Sequence, residues 1–193
     1  MSFRRVVLFC GGVGALSGVL TFGAERVAAG EPHVAGQISG VAARARNAAF
    51  RPAAGDGFRV LHSFGSGEDG SKPHGEMIVD NGVLYGTTDL GGTGGAGTVF
   101  ALTPAGVESV LYNFKSVPDG AEPLAALTAF DGELFGTTAN GGGTCNGSAG
   151  SGTVFEVSAA GAENVVAPFG CTAGGLNPRG KLLSYNGALY GTT

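Results

Sequence analysis

Tryptophan is absent from this chain, and histidine and cysteine appear only three times each. An aromatic platform for sugars favours tryptophan, so none is indicated. His33, His62 and His74 fall at unrelated places, and no cysteine or carboxylate around them has the spacing of zinc ligands. After residue 57 no stretch shows sustained helical spacing of apolar residues, which excludes a helical repeat. Charge is also scarce and unevenly signed. Residues 58–193 carry five basic and twelve acidic side chains. That excess of acid disfavours nucleic acid and anionic membrane surfaces as partners and favours solubility.

What the chain has in quantity is glycine, 38 residues, and self-similarity. Asn81-Gly-Val-Leu-Tyr-Gly-Thr-Thr88 returns as Asp131-Gly-Glu-Leu-Phe-Gly-Thr-Thr138 and as Asn186-Gly-Ala-Leu-Tyr-Gly-Thr-Thr193. Gly97-Thr-Val-Phe100 returns as Gly152-Thr-Val-Phe155. Phe64, Phe114 and Phe169 correspond, as do Pro73, Pro123 and Pro178. The second interval exceeds the first, and the extra residues lie in the Gly-, Asn- and Ser-rich run between Thr138 and Gly152. A polar, glycine-rich segment is where a surface loop tolerates insertion.

Each unit reads as four short strands. Glu76–Asp80 and Val83–Thr88 flank Asn81-Gly82, and Asn-Gly between apolar runs is the strongest short hairpin signal because both residues accept positive φ. Asp131-Gly132 and Asn186-Gly187 take the same place. A second hairpin joins Thr98–Thr103 to Val107–Phe114 through Pro104-Ala-Gly106, and its counterpart joins Thr153–Ser158 to Ala162–Phe169. Alternation sets Val99, Ala101 and Thr103 on one side of a strand and Phe100 and Leu102 on the other. Both sides are apolar enough to suit a sheet packed between two others. The expected fold is all-β: β-propeller-like tandem four-stranded blades, incomplete, about two and a half in number. A β-solenoid is the alternative, although its coils are usually shorter and lack paired tight hairpins.

The ordered pattern Leu-Tyr-Gly-Thr-Thr, Gly-rich loop, Gly-Thr-Val-Phe, Pro/Gly turn, Leu-Tyr-x-Phe and Asp-Gly-x-x-Pro over residues 58–193 resembles the bacterial extracellular "GloVer" tandem repeat of choice-of-anchor proteins. The resemblance implies a secreted or surface-displayed repeat protein of undefined molecular function. It implies no catalytic residues.

The N-terminus has the layout of a signal peptide over residues 1–29. Arg4-Arg5 precedes a glycine-diluted apolar run, and Val27-Ala28-Ala29 offers small residues for cleavage before Gly30. Residues 30–57 read as an Ala/Gly-rich linker. Repeat units are expected near 76–125, 126–180 and, in part, 181–193. A closed propeller of four to eight such blades is longer than this, so the sequence is expected to be part of a longer array.

The Gly-rich loops, 89–97 and 139–152, should share one face with the Asp-Gly-x-x-Pro loops, 68–73 and 118–123. That face is the candidate binding surface. Cys145 and Cys171 fall on it, and a disulfide between them stays open as an oxidising-compartment staple that would add about 3 kcal/mol. Gly92–Gly97 matches G-x-G-x-x-G but leads to a strand, so the helix N-terminus that would hold a pyrophosphate is missing. Asp69 and Asp119 read as turn residues and not as calcium ligands, because the third copy has Gly174 there. Tyr85, Phe100, Phe114, Phe135, Phe155, Phe169 and Tyr190 recur at matched positions and read as core between units. No catalytic, cofactor-binding or metal residue is assigned, and no cofactor is expected. The functional expectation is an exported, non-enzymatic surface-display, adhesion or scaffold module. The alternative is a piece of a secreted β-propeller enzyme or a carbohydrate-binding module. Cell-surface glycans or proteins and self-association through open blade edges are the partner classes left open.

Overall fold

A computed structural model describes residues 5–9, 59–65, 68–143, 150–170 and 175–193. The described residues are all-β, with no helix among them, and form three sheets, none closed on itself.

Unit one comprises β2 (Ser71–Pro73), β3 (Ile78–Asp80), β4 (Val83–Leu90), β5 (Thr98–Leu102) and β6 (Glu108–Asn113). Both β2 and β3 pair with the same edge of β4, so the outermost strand is broken in two and the sheet is four strands deep. Unit two is a four-stranded antiparallel meander of β7 (Thr128–Phe130), β8 (Glu133–Thr138), β9 (Thr153–Val157) and β10 (Glu163–Pro168). The single bridge Ala121↔Asn140 stands where β2 stands in unit one. Unit three holds β11 (Leu183–Tyr185) and β12 (Ala188–Thr192). The segment β1 (Arg5–Phe9), which lies in the expected signal peptide, pairs in parallel with β12.

The hairpins close as their turn residues require. Asn81 and Gly82 have φ of 49° and 79°, and the pairs Asp131-Gly132 and Asn186-Gly187 repeat that geometry. Positive φ at both central residues gives the turn the twist of the strands it joins. The expected strand Glu76–Asp80 is trimmed to Ile78–Asp80 because its first residues bridge between the two halves of the broken edge.

Every residue of β5 is buried, which is the two-sided burial expected from its alternation. Val99 and Ala101 join Leu127, Leu134, Phe155 and Val157 of unit two in one core. On the opposite face Phe100 meets Phe64 at 4.7 Å between ring centroids. A second core joins Phe135, Val154, Ala167 and Phe169 of unit two to Leu182 and Leu189 of unit three. The cores therefore lie between units, as stacked repeats require.

Candidate functional site

The residues that recur along the chain meet at the seams between units. Phe114 packs edge-on against Phe155 at 5.0 Å, and Phe64 meets Phe100 in a tilted arrangement at 4.7 Å. The Gly-Thr-Thr motif has a separate task for each residue. A Cβ on Gly86 would lie 2.6 Å from the ring of Phe100, and Gly136 stands against Phe155 in the same way. Thr87 Oγ1 donates across the seam to Ala125 O at 3.2 Å, and Thr137 Oγ1 donates to Gly180 O at 3.3 Å. Thr88 pairs with Thr98 through their hydroxyls at 2.9 Å, and Thr138 pairs with Thr153 at 2.8 Å. All four of these hydroxyl residues are buried and partnered, which is what keeps polar groups tolerable in a β core.

A polar cluster also recurs. Tyr112 Oη donates to Asp119 Oδ2 at 2.9 Å, and the Lys115 amide donates to the same oxygen at 2.9 Å. Glu163, at the start of β10, approaches this pair from the next unit. Burial first, and then the charge of Asp119, push the Glu163 carboxyl up to about 7, while the Tyr112 hydroxyl pulls the other way. Burial also raises Asp119, against the lowering effect of the Lys115 amide and Tyr112. Asp119 Oδ1 and Glu163 Oε1 are both buried without a hydrogen-bond partner. Two desolvated carboxyls at one seam disfavour double ionisation. Tyr112 is pushed up too, chiefly by burial and by its bond to Asp119. One unit earlier, His62 Nε2 lies 3.1 Å from Asp69 Oδ2, and Glu108 takes the place of Glu163. Glu108 is raised by burial and by Asp69, while His62 opposes the shift.

This arrangement raises the carboxyls of Glu163, Asp119 and Glu108 at the joints between units, with burial as the chief cause. Asp69 and Asp119 do cap turns, since Asp69 also accepts from the Gly65 amide. The turn reading missed their seam partners. The signal was present in the matched spacing of Glu108 with Glu163 and of His62 with Tyr112.

The loop face is built by hydrogen bonds between neighbouring units. Glu122 N donates to Ala96 O at 3.0 Å, and Asn177 N donates to Ser151 O at 2.9 Å. Asn177 Nδ2 adds a bond to Ala139 O at 2.7 Å. The Gly-rich and Asp-Gly loops thus meet as expected, and β5 follows Gly97 directly, so the G-x-G-x-x-G match has no helix behind it. Cys145, Cys171 and His33 lie outside the described residues. His74 is exposed. Among the described residues no group of three or more His, Cys, Asp or Glu is placed to hold a metal ion. No helix among them is long and apolar enough to cross a membrane. Of the recurrent aromatic set, Tyr85, Phe100, Phe114, Phe135, Phe155 and Phe169 are buried. Tyr190 is only partly covered.

The repeat described as Gloeobacter/Verrucomicrobia repeat matches residues 40–193. The chain belongs to that family. The match begins inside the stretch read as a linker, and it agrees with the resemblance carried by the Gly-Thr-Thr and Gly-Thr-Val-Phe landmarks. No curated protein and no solved structure matches the chain. As a Gloeobacter/Verrucomicrobia repeat protein the chain is a tandem array of β units, and its shared motifs are the seam residues described above.

Proposed function

We propose that the chain is an exported scaffold in which β-propeller-like blades stack to present their loops, serving surface display, adhesion or assembly at the cell exterior. One observation carries this reading: much of what recurs from unit to unit builds the sheets and the seams between them. Phe100 and Phe155, Thr87 and Thr137, and Gly86 and Gly136 are each engaged by a neighbouring strand or unit. Repetition of that kind maintains a surface and leaves the loops free to differ. The Arg4-Arg5 start, the apolar run and the small residues before Gly30 support export.

The test is expression of the full chain with a C-terminal epitope tag in a Gram-negative host, followed by fractionation and mass spectrometry. The expected product begins near Gly30 and leaves the cytoplasm. Retention of residues 1–29 on a cytoplasmic product would overturn the proposal of export.

A further inference from the structure

The dipeptide Asn-Gly occurs four times, at Asn81, Asn140, Asn146 and Asn186. It is the pair most open to a spontaneous reaction, because glycine has no side chain to hinder attack by its own amide nitrogen on the preceding asparagine side chain. Asn146-Gly147 lies outside the described residues. The other three stand in two different settings. Asn81-Gly82 and Asn186-Gly187 are exposed hairpin tips. Strand pairing ends at Asp80↔Val83 and at Tyr185↔Ala188, so neither tip supplies a rung of its ladder. A Cβ on Gly187 would meet no atom within 4 Å, so the space around that tip is open. Exposure belongs to the turn itself, since Asp131-Gly132 in the middle unit is exposed as well.

Asn140-Gly141 has the same two residues in a locked backbone. Asn140 exchanges both of its main-chain hydrogen bonds with Ala121, at 3.0 and 2.8 Å. Its carbonyl also accepts from Thr138 Oγ1 at 2.9 Å, and its side-chain Oδ1 accepts from Asn177 Nδ2 at 3.1 Å. Gly141 is buried, and a Cβ on it would lie 2.7 Å from the Gly120 backbone. Swinging the Gly141 nitrogen onto the Asn140 side-chain carbon would break these bonds, so reaction there requires local opening.

We propose that the hairpin tips at Asn81 and Asn186 are sites of spontaneous deamidation, and that Asn140 is protected by the strand and loop contacts around it. The Gly82 amide gives up its proton to water, and its nitrogen bonds to Asn81 Cγ. The bond from Cγ to the side-chain nitrogen breaks, and ammonia leaves. Water then opens the resulting succinimide at either carbonyl, giving aspartate or isoaspartate. Asn186-Gly187 reacts in the same way. Unit two already carries the first product: Asp131-Gly132 sits in the same turn, with φ of 53° and 83°, so aspartate at the tip keeps the hairpin. Isoaspartate adds a carbon to the main chain at the tip and puts Ile78–Asp80 out of step with Val83–Tyr85. At Asn81 either product also replaces the bond from Asn81 Nδ2 to Asp80 Oδ2 with two neighbouring carboxylates. The chain thus ages by gaining negative charge at fixed, solvent-facing points.

Incubation of the full chain in mildly alkaline buffer made with heavy-oxygen water, followed by peptide mapping, tests this. Ring opening writes the heavy oxygen into positions 81 and 186 as labelled aspartate and isoaspartate, so conversion during the incubation is told apart from conversion during digestion. In the folded chain Asn140 is expected to convert about tenfold more slowly, or slower still, than the two tips. Unfolding the chain in urea should remove that difference. Asn81→Asp should melt at the temperature of the wild type, as the native Asp131 turn implies. Tips that keep their amides in the folded chain, or an Asn140 that keeps pace with them, would overturn the proposal. An Asn81→Asp chain that loses its first sheet would overturn the assignment of aspartate as the product that the hairpin accepts.

Discussion

The face of unit two that meets unit three and the open face of unit three carry nearly the same residues in different surroundings. Phe135 and Tyr190 occupy one position, as do Thr137 and Thr192. Phe135 and Thr137 are buried and engaged by a neighbour, whereas Tyr190 is partly open and Thr192 exposed. Strand identity, hairpin and motif do not differ between the two units. Burial in this array therefore comes from the adjacent unit and is not intrinsic to the fold of one sheet, as nearest-neighbour stabilisation of repeats demands.

The sharpest way to break the comparison is to hollow out a seam. Phe155→Ala should cost about 3–5 kcal/mol in chemical denaturation, since its ring is fully buried against Phe114. Tyr190→Ala on the open face should cost about 1 kcal/mol or less. Equal losses at the two positions would mean that the seam contributes nothing special.

Gly136→Ala comes next. Its Cβ would press into the Phe155 ring and against Leu127, and overpacking of this kind costs about 1–3 kcal/mol. Pairing it with Phe155→Leu should recover part of the loss if the clash with the ring is the cause. A simple sum of the two losses would refute that.

Thr138→Val keeps the shape and removes the hydroxyl. It deprives the Thr153 hydroxyl and amide and the Asn140 carbonyl of one partner, at an expected cost of about 1–2 kcal/mol. A melting temperature equal to that of the wild type would show that the hydroxyl pair is dispensable.

The smallest effect is one of pH. Glu163 titrates near 7 in the folded chain against an ordinary value of 4.5. The folded state thus holds a proton that the unfolded state releases. Its contribution is complete below pH 4.5 and is lost as pH rises through about 7. Glu163→Gln should flatten the fall in stability over that window. An unchanged slope would place the titrating group elsewhere.

Much of the fold was legible in the residues because the signals were local. Asn81-Gly82, Asp131-Gly132 and Asn186-Gly187 announce their turns by their tolerance of positive φ, and the alternation in Thr98–Leu102 announces a strand buried on both sides. The polar seam cluster was not legible as a site. Tyr112, Asp119 and Glu163 lie on two different units, and each reads as ordinary in its own stretch of chain. The pairing of Arg5–Phe9 with β12 was equally hidden, because the two strands lie at opposite ends of the sequence.

The repeat, its hairpins and the two-faced apolar strands were determined by sequence alone, since turn dihedrals and a period of two are properties of a few adjacent residues. Only the tertiary structure decided which copy of a repeated side chain is covered by a neighbour and which carboxyl is buried beside another. Those outcomes depend on desolvation by a neighbouring unit about 50 residues away, a distance over which a local pattern carries no information.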